Sequence, residues 1–296
     1  MNTEQITNTP QEITPPSEFF DGNDEQEIQR EHTFDGNVST LIYRFLRYAK
    51  SNEYYDRMII LNYSDALIRL ALKYKNSNPI TQESLDFYLR IVRECRNIYH
   101  RARIGLKMTK ESISFLNYLQ NLEEFKDTKI TYYKDQLTLT GIIESRMSDS
   151  VEAISEITDN KTLLLIPIGN GGIFSALELS THIQDKIKDN SLILPIKFSR
   201  RKDKDAIPII SEVEIKLIKY YIEELDAVPV IWDDDVVSSN TLVDFMRYIS
   251  HITQHDEFRI MGGNVRGYHL SNNDNALNKA MIANSTIDLE RDTLPK

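Results

Sequence analysis

The sequence predicts an open, mainly parallel α/β sheet flanked by helices, preceded by a small all-helical domain. Two observations carry this. Between residues 37 and about 125, apolar side chains recur at threes and fours without strand-like alternation, the signature of amphipathic helices. After Lys129 come three apolar runs, 163–168, 192–198 and 228–232, rich in Ile, Leu and Val and separated by helical segments. Runs that do not alternate suit parallel strands buried on both faces, and strand–helix alternation is how such a sheet is connected. The expected division is an acidic arm (1–35), a helical domain (36–127), an α/β domain (128–270) and a C-terminal tail (271–296).

The arm carries Glu4, Glu12, Glu18, Asp21, Asp24, Glu25, Glu27 and Glu31, with Arg30 as its only Lys or Arg, and Pro10, Pro15 and Pro16 break any helix. Such a segment buries too little apolar surface to fold, so a mostly disordered arm is expected. In the helical domain, Val38, Leu41, Ile42, Phe45, Leu46 and Ala49 form one stripe, and Ala66, Leu67, Leu70, Ala71 and Tyr74 another. Asn78-Pro79 ends that second helix, and Thr81 is placed to cap the next. Its stripe is Leu85, Tyr88, Leu89, Val92, Cys95 and Tyr99, and a further helix is expected over 110–124. The domain also gathers Arg90, Arg93, Arg96, Arg101, Arg103, Lys107 and Lys110. A continuous helix would align Arg93, Arg96, His100, Arg103 and Lys107 on one face. That face is expected either to be a solvated surface or to contact nucleic acid or protein over residues 90–107.

In the α/β region, short alternating stretches over 130–140 suggest a hairpin, and 148–157 reads as helix. Helices are expected over 174–187, 213–225 and 242–252, and a fourth strand over 258–265. The residues from 272 on are polar, with weak helical character over 276–283.

Composition narrows the classes. With 41% hydrophobic and 27% charged residues, the chain is of ordinary globular type. A net charge of −10 argues against wholesale coating of nucleic acid. A single cysteine, Cys95, excludes an intrachain disulfide and a cysteine-rich zinc site. His251 and His255 stand four apart with no third ligand evident. No signal-peptide pattern opens the sequence and no apolar run approaches a membrane span, so a cytoplasmic protein without membrane contact is expected.

The chemistry concentrates after the third apolar run. There the sequence reads Asp233-Asp234-Asp235, then Val236-Val237-Ser238-Ser239-Asn240-Thr241, then a helix. Carboxylates beyond the carboxyl end of a strand can accept hydrogen bonds from a ribose diol or help hold Mg²⁺. Small polar residues entering a helix leave N–H groups and hydroxyls free for a phosphate. After the first run, Gly169-Asn170-Gly171-Gly172 permits close backbone approach to an anion, although a full dinucleotide fingerprint is absent. After the second run, Ser199-Arg200-Arg201-Lys202-Asp203-Lys204 is a cationic segment.

These three segments, in this order, resemble the type I phosphoribosyltransferases, over roughly residues 129–268. The resemblance implies that Asp233 and Asp234 engage the ribose hydroxyls of phosphoribosyl pyrophosphate (PRPP) and Mg²⁺. In the register shifted by one residue the pair is Asp234 and Asp235. It implies that Val237, Ser238, Ser239, Asn240 and Thr241 hold the 5′-phosphate. Asn170, Gly171 and Gly172 would hold pyrophosphate, and Arg200, Arg201, Lys202 and Lys204 would close over it as it leaves. The usual loop glycine is replaced by Ser239 and Asn240. The carboxylate of the purine-salvage members is also missing, since Val237 or Ser238 stands there, which turns the expectation away from a hypoxanthine- or guanine-type enzyme. The implied activity is a glycosyltransferase of nucleotide metabolism: transfer of phosphoribosyl to a nitrogenous base with release of pyrophosphate, by a protein able to form a homodimer. The alternative is a PRPP- or nucleotide-binding regulator, or a conflict-system effector, with the helical domain as its interaction surface.

Overall fold

The computed structural model describes residues 35–49, 53–131, 144–169, 171–184, 187–188, 190–198, 208–236 and 240–265. They fall in two compact units. The first holds the described residues up to Asn78 and from Phe87 to 131; the second holds Pro79–Asp86 and the described residues from 144 on.

The first unit contains helices α1 (Val38–Tyr48), α2 (Tyr54–Ser77), most of α3 (Gln82–Arg103), α4 (Lys110–Asn121) and the one-turn α5 (Glu123–Lys126). Asn37 opens α1, its Oδ1 accepting the Thr40 N–H at 2.9 Å, and Thr109 opens α4 by accepting from the Ser112 N–H at 3.1 Å. These bonds satisfy helix N–H groups that have no intrahelical partner. In α2, residues 59–61, 63–68 and 70–72 are buried all round, which makes it the central helix of the unit. The single helix expected over 110–124 is two helices. Leu122 adopts an extended conformation (φ −74°, ψ 105°) that ends α4 and starts α5, so that Phe125 is fully buried against Tyr74 and Phe87.

Two three-residue strands lie outside the all-helical expectation for this region. β1 (Asp35–Asn37) pairs antiparallel with β2 (Lys129–Thr131), Asp35 opposite Thr131 and Asn37 opposite Lys129. The start of the expected hairpin therefore pairs with a segment some ninety residues earlier in the chain; residues 132–140 lie outside the described residues. The pairing continues into the Val38 N–H, which donates to the Thr128 carbonyl at 3.1 Å.

The second unit is α/β. In chain order it runs α6 (Glu144–Thr158), β3 (Leu163–Pro167), α7 (Gly171–His182), β4 (Leu192–Ile193), α8 (Glu212–Glu223), β5 (Val228–Val236), α9 (Asn240–Thr253) and β6 (Arg259–Val265). The four strands are all parallel in the order β4-β3-β5-β6. Right-handed crossovers put α7 on one face and α8 and α9 on the other. Contacts agree: α7 packs on β3, β5 and α6, while α9 packs on α8, β5 and β6. β3 is buried along its whole length, as its unbroken apolar run requires.

Two prolines of the sheet region, Pro195 and Pro229, sit where a parallel ladder tolerates them. Leu194 and Ile196 donate to Leu165 and Pro167 of β3, so the nitrogen of Pro195 between them faces the outer edge of the sheet. The ring nonetheless interrupts the second apolar run, whose regular strand is Leu192–Ile193, with an isolated bridge at Ile196. Pro229 precedes by one residue the first β5–β6 pair, Val230 with Arg259.

Candidate functional site

In this sheet β3 is followed by a crossover to one side, to β4, whereas β5 lies on its other side. The carboxyl ends of β3 and β5 thus form the topological switch point, where open α/β sheets carry a crevice. The glycine turn and the acidic run begin there, and Phe198, which precedes the cationic segment, lies beside Gly169.

The last link between β3 and β5 is the Ile168 N–H donating to the Trp232 carbonyl at 2.9 Å. The next residue, Gly169, takes φ +66°, a left-handed conformation that favours glycine. Its N–H donates to the Ile196 carbonyl at 3.1 Å, and a Cβ there would stand 3.3 Å from the Phe198 carbonyl oxygen. The glycine turn therefore lies against the root of the cationic segment. Gly172 lies against the root of the acidic one: a Cβ would meet the Trp232 carbonyl oxygen at 3.0 Å, Pro167 Cβ at 3.5 Å and Asp233 Cα at 3.6 Å. Ser175, one turn on, accepts the Trp232 indole N–H at 2.7 Å and donates to the Gly172 carbonyl at 3.2 Å. Trp232 and Ser175 are buried, so this chain of bonds fixes the first turn of α7 on β5.

Three expected details change. Gly171 and Gly172 are the first residues of α7, whereas the expectation had them in a loop before a helix at Phe174. A helix start exposes N–H groups that no residue of the helix accepts. Asn240 and Thr241 likewise open α9 and are not loop residues. The third change concerns the acidic run. It was expected to lie beyond a strand ending at Trp232, yet β5 continues to Val236, because β6 runs beside it: Asp233 pairs with Gly262, Asp235 with Asn264 and Val236 with Val265. Pairing with β3 ends at Trp232. Strand residues alternate between faces. Trp232 faces α7, so position 234 falls on that face and positions 233 and 235 on the other.

Asp233 itself is half-buried. Asn170, Arg200, Arg201, Lys202, Lys204, Val237, Ser238 and Ser239 lie outside the described residues. Sequence reasoning missed Ser175 and Gly262. The second had a signal, since the pair Gly262-Gly263 inside a strand marks a place where another group approaches the backbone closely. Carboxylate oxygens suit Mg²⁺, which takes one or two of them together with phosphate oxygens. Among the described residues no three of His, Cys, Asp and Glu gather in a way that could hold a metal by themselves.

The expected basic face also shifts. α3 ends at Arg103, and Gly105 (φ +78°) turns the chain, which takes Lys107 off the helix. Arg96, His100 and Arg103 are half-buried, whereas Arg90, Arg93 and Asn97 are exposed. Among the described residues no helix is long and apolar enough to cross a membrane. Comparison of the chain with protein-family models, curated proteins and solved structures gives no match.

Proposed function

We propose that the crevice at the switch point binds PRPP and that the protein transfers the phosphoribosyl group to a nitrogenous base. A nitrogen of the base attacks C1′ of the ribose, the C1′–oxygen bond breaks, its electron pair leaves with pyrophosphate, and any proton the nitrogen carried passes to solvent. The single observation supporting this reading is the convergence of the three segments: Gly169 on Phe198, and Gly172 on Trp232 and Asp233. In this reading the first turn of α7 offers N–H groups and its dipole to pyrophosphate. Arg200, Arg201, Lys202 and Lys204 neutralise charge on the leaving group. Val237 to Thr241 hold the 5′-phosphate at the entry to α9. The acidic run would help hold Mg²⁺, which would supply further charge neutralisation. Rate enhancement of this kind comes from positioning and electrostatics, so no dedicated general base is required.

A second reading, a regulator that binds PRPP or a nucleotide without turnover, is favoured by one feature: Ser239 and Asn240 stand where the usual 5′-phosphate loop has glycine. Incubation with Mg²⁺, PRPP and a panel of bases, with pyrophosphate release followed, separates the two. Release with one base, lost in Asp234→Asn, supports transfer. PRPP binding that Asp234→Asn abolishes, with no release for any base, supports the regulator. Absence of binding to PRPP and to nucleotides refutes both.

A further inference from the structure

We propose that the helical unit carries a binding surface for single-stranded nucleic acid, formed by the outer ridge of α3 and the exposed aromatic edge of α4. Between Arg90 and Lys110 the sequence has seven Lys or Arg and one carboxylate, Glu94, in a chain of net charge −10. The apolar stripe of α3 turns Leu85, Tyr88, Val92, Cys95 and Tyr99 inward, and the opposite ridge is Arg90, Arg93, Asn97 and Arg101. At the rise of an α-helix this ridge is about 16 Å long. Beyond it, the Arg101 Nε–H donates to the Lys107 carbonyl at 2.7 Å, which ties the following turn to the end of the ridge. Arg93, Lys107 and Lys110 are exposed and form no ion pair with described residues. Glu94 is not turned fully to solvent; it accepts from the Ser112 hydroxyl at 3.4 Å.

A bare cationic ridge would suit any polyanion. The aromatic group beside it selects among them. Arg90 lies over the Phe115 ring at 4.7 Å, and Phe115 in turn stacks on Tyr118 (centroids 6.4 Å apart, planes at 30°). Phe115 is buried, but Tyr118 is 51% exposed. Cations that track a backbone, with an exposed ring on which a base can stack, are the recurring elements of single-strand recognition. The surface lies in the helical unit, and its inference does not depend on the PRPP reading.

The test is fluorescence anisotropy of labelled short single-stranded RNA and DNA against the full chain at several salt concentrations. Inorganic polyphosphate and anionic phosphatidylserine vesicles serve as competing probes. Binding should weaken steeply with salt, and each cation removed should lower the slope of log K against log salt by about 1. Arg93→Glu combined with Lys107→Glu should abolish binding while the far-UV spectrum stays unchanged. Tyr118→Ala should weaken oligonucleotide binding about tenfold or more but leave polyphosphate binding unaltered, because only a base can stack. Tyr43→Ala, at another exposed tyrosine, should change neither. Absence of oligonucleotide binding at low salt, binding indifferent to the double variant, equal loss of both ligands in Tyr118→Ala, or preference for vesicles would each overturn the proposal.

Discussion

Replacement of Gly172 by alanine sets two opposed effects against each other, and the geometry decides between them. Gly172 is the second residue of α7, where alanine is favoured over glycine by up to about 1 kcal/mol. The new Cβ, however, would stand 3.0 Å from the Trp232 carbonyl oxygen, closer than ordinary van der Waals contact. That oxygen cannot yield cheaply. It accepts the Ile168 N–H at 2.9 Å, and Trp232 belongs to a strand paired on both sides. Pro167 Cβ at 3.5 Å and Asp233 Cα at 3.6 Å close the other directions. Overpacking at such a site costs roughly 1–3 kcal/mol, so Gly172→Ala should lower stability by up to about 2 kcal/mol after a helix gain of about 1 kcal/mol is subtracted. A local reporter is built in. Trp232 is the only tryptophan of the chain, fully buried, with its indole N–H bonded to Ser175. Urea unfolding followed by tryptophan emission, with far-UV dichroism in parallel, should show a lower midpoint and an altered native emission maximum. A midpoint equal to or above wild type, with unchanged emission, would refute the claim that α7 is seated on β5 through this glycine.

Two further outcomes follow from buried groups. Ser175→Ala leaves the Trp232 indole N–H buried without its acceptor, which should cost about 1–3 kcal/mol and change the emission maximum; unfolding curves superimposable on wild type would count against the bond. Burial, followed by the nearby Glu94 and Asp65, pushes the Cys95 thiol well above its ordinary value. A raised pKa means the folded state keeps a proton that the unfolded state loses. The contribution is intact below about pH 8.5, and stability falls above it by up to about 1.4 kcal/mol per pH unit. Cys95→Ala should therefore show a shallower alkaline decline than wild type, and parallel declines would remove Cys95 from that role.

Much of the α/β unit was legible because its strands are buried on both faces and need uninterrupted apolar runs. The extension of β5 was not. Asp has little intrinsic tendency to form strand, and its conformation here is imposed by β6, whose partnership with β5 is a tertiary fact. The β1–β2 pair was hidden for a similar reason, since three residues give no periodicity and the partner lies some ninety residues away. The basic ridge was legible but misassigned. Counting threes and fours among cations selected Arg96 and Arg103, yet these directly follow the buried Cys95 and Ala102 and so flank the apolar stripe. Working outward from the stripe instead gives Arg90, Arg93 and Arg101. In the candidate site a close backbone approach at the glycines was legible, while which strands they approach depends on sheet order.

Sheet order also gives the tripled aspartate a meaning that its sequence left open. As a loop, Asp233-Asp234-Asp235 offers interchangeable carboxylates and two equivalent registers. As a strand it does not, because a shift of one residue moves a side chain from one face of the sheet to the other. Trp232 is held on the α7 face by Ser175, so position 234 shares the face on which α7 begins, and positions 233 and 235 share the face of α9. A ligand whose pyrophosphate met the start of α7 and whose 5′-phosphate met the start of α9 would span both faces at the strand end. It would then call on acidic groups at both faces of β5. The outcomes at the three positions should accordingly differ: in this reading Asp234→Asn acts on the pyrophosphate side, and Asp233→Asn or Asp235→Asn on the side of the 5′-phosphate.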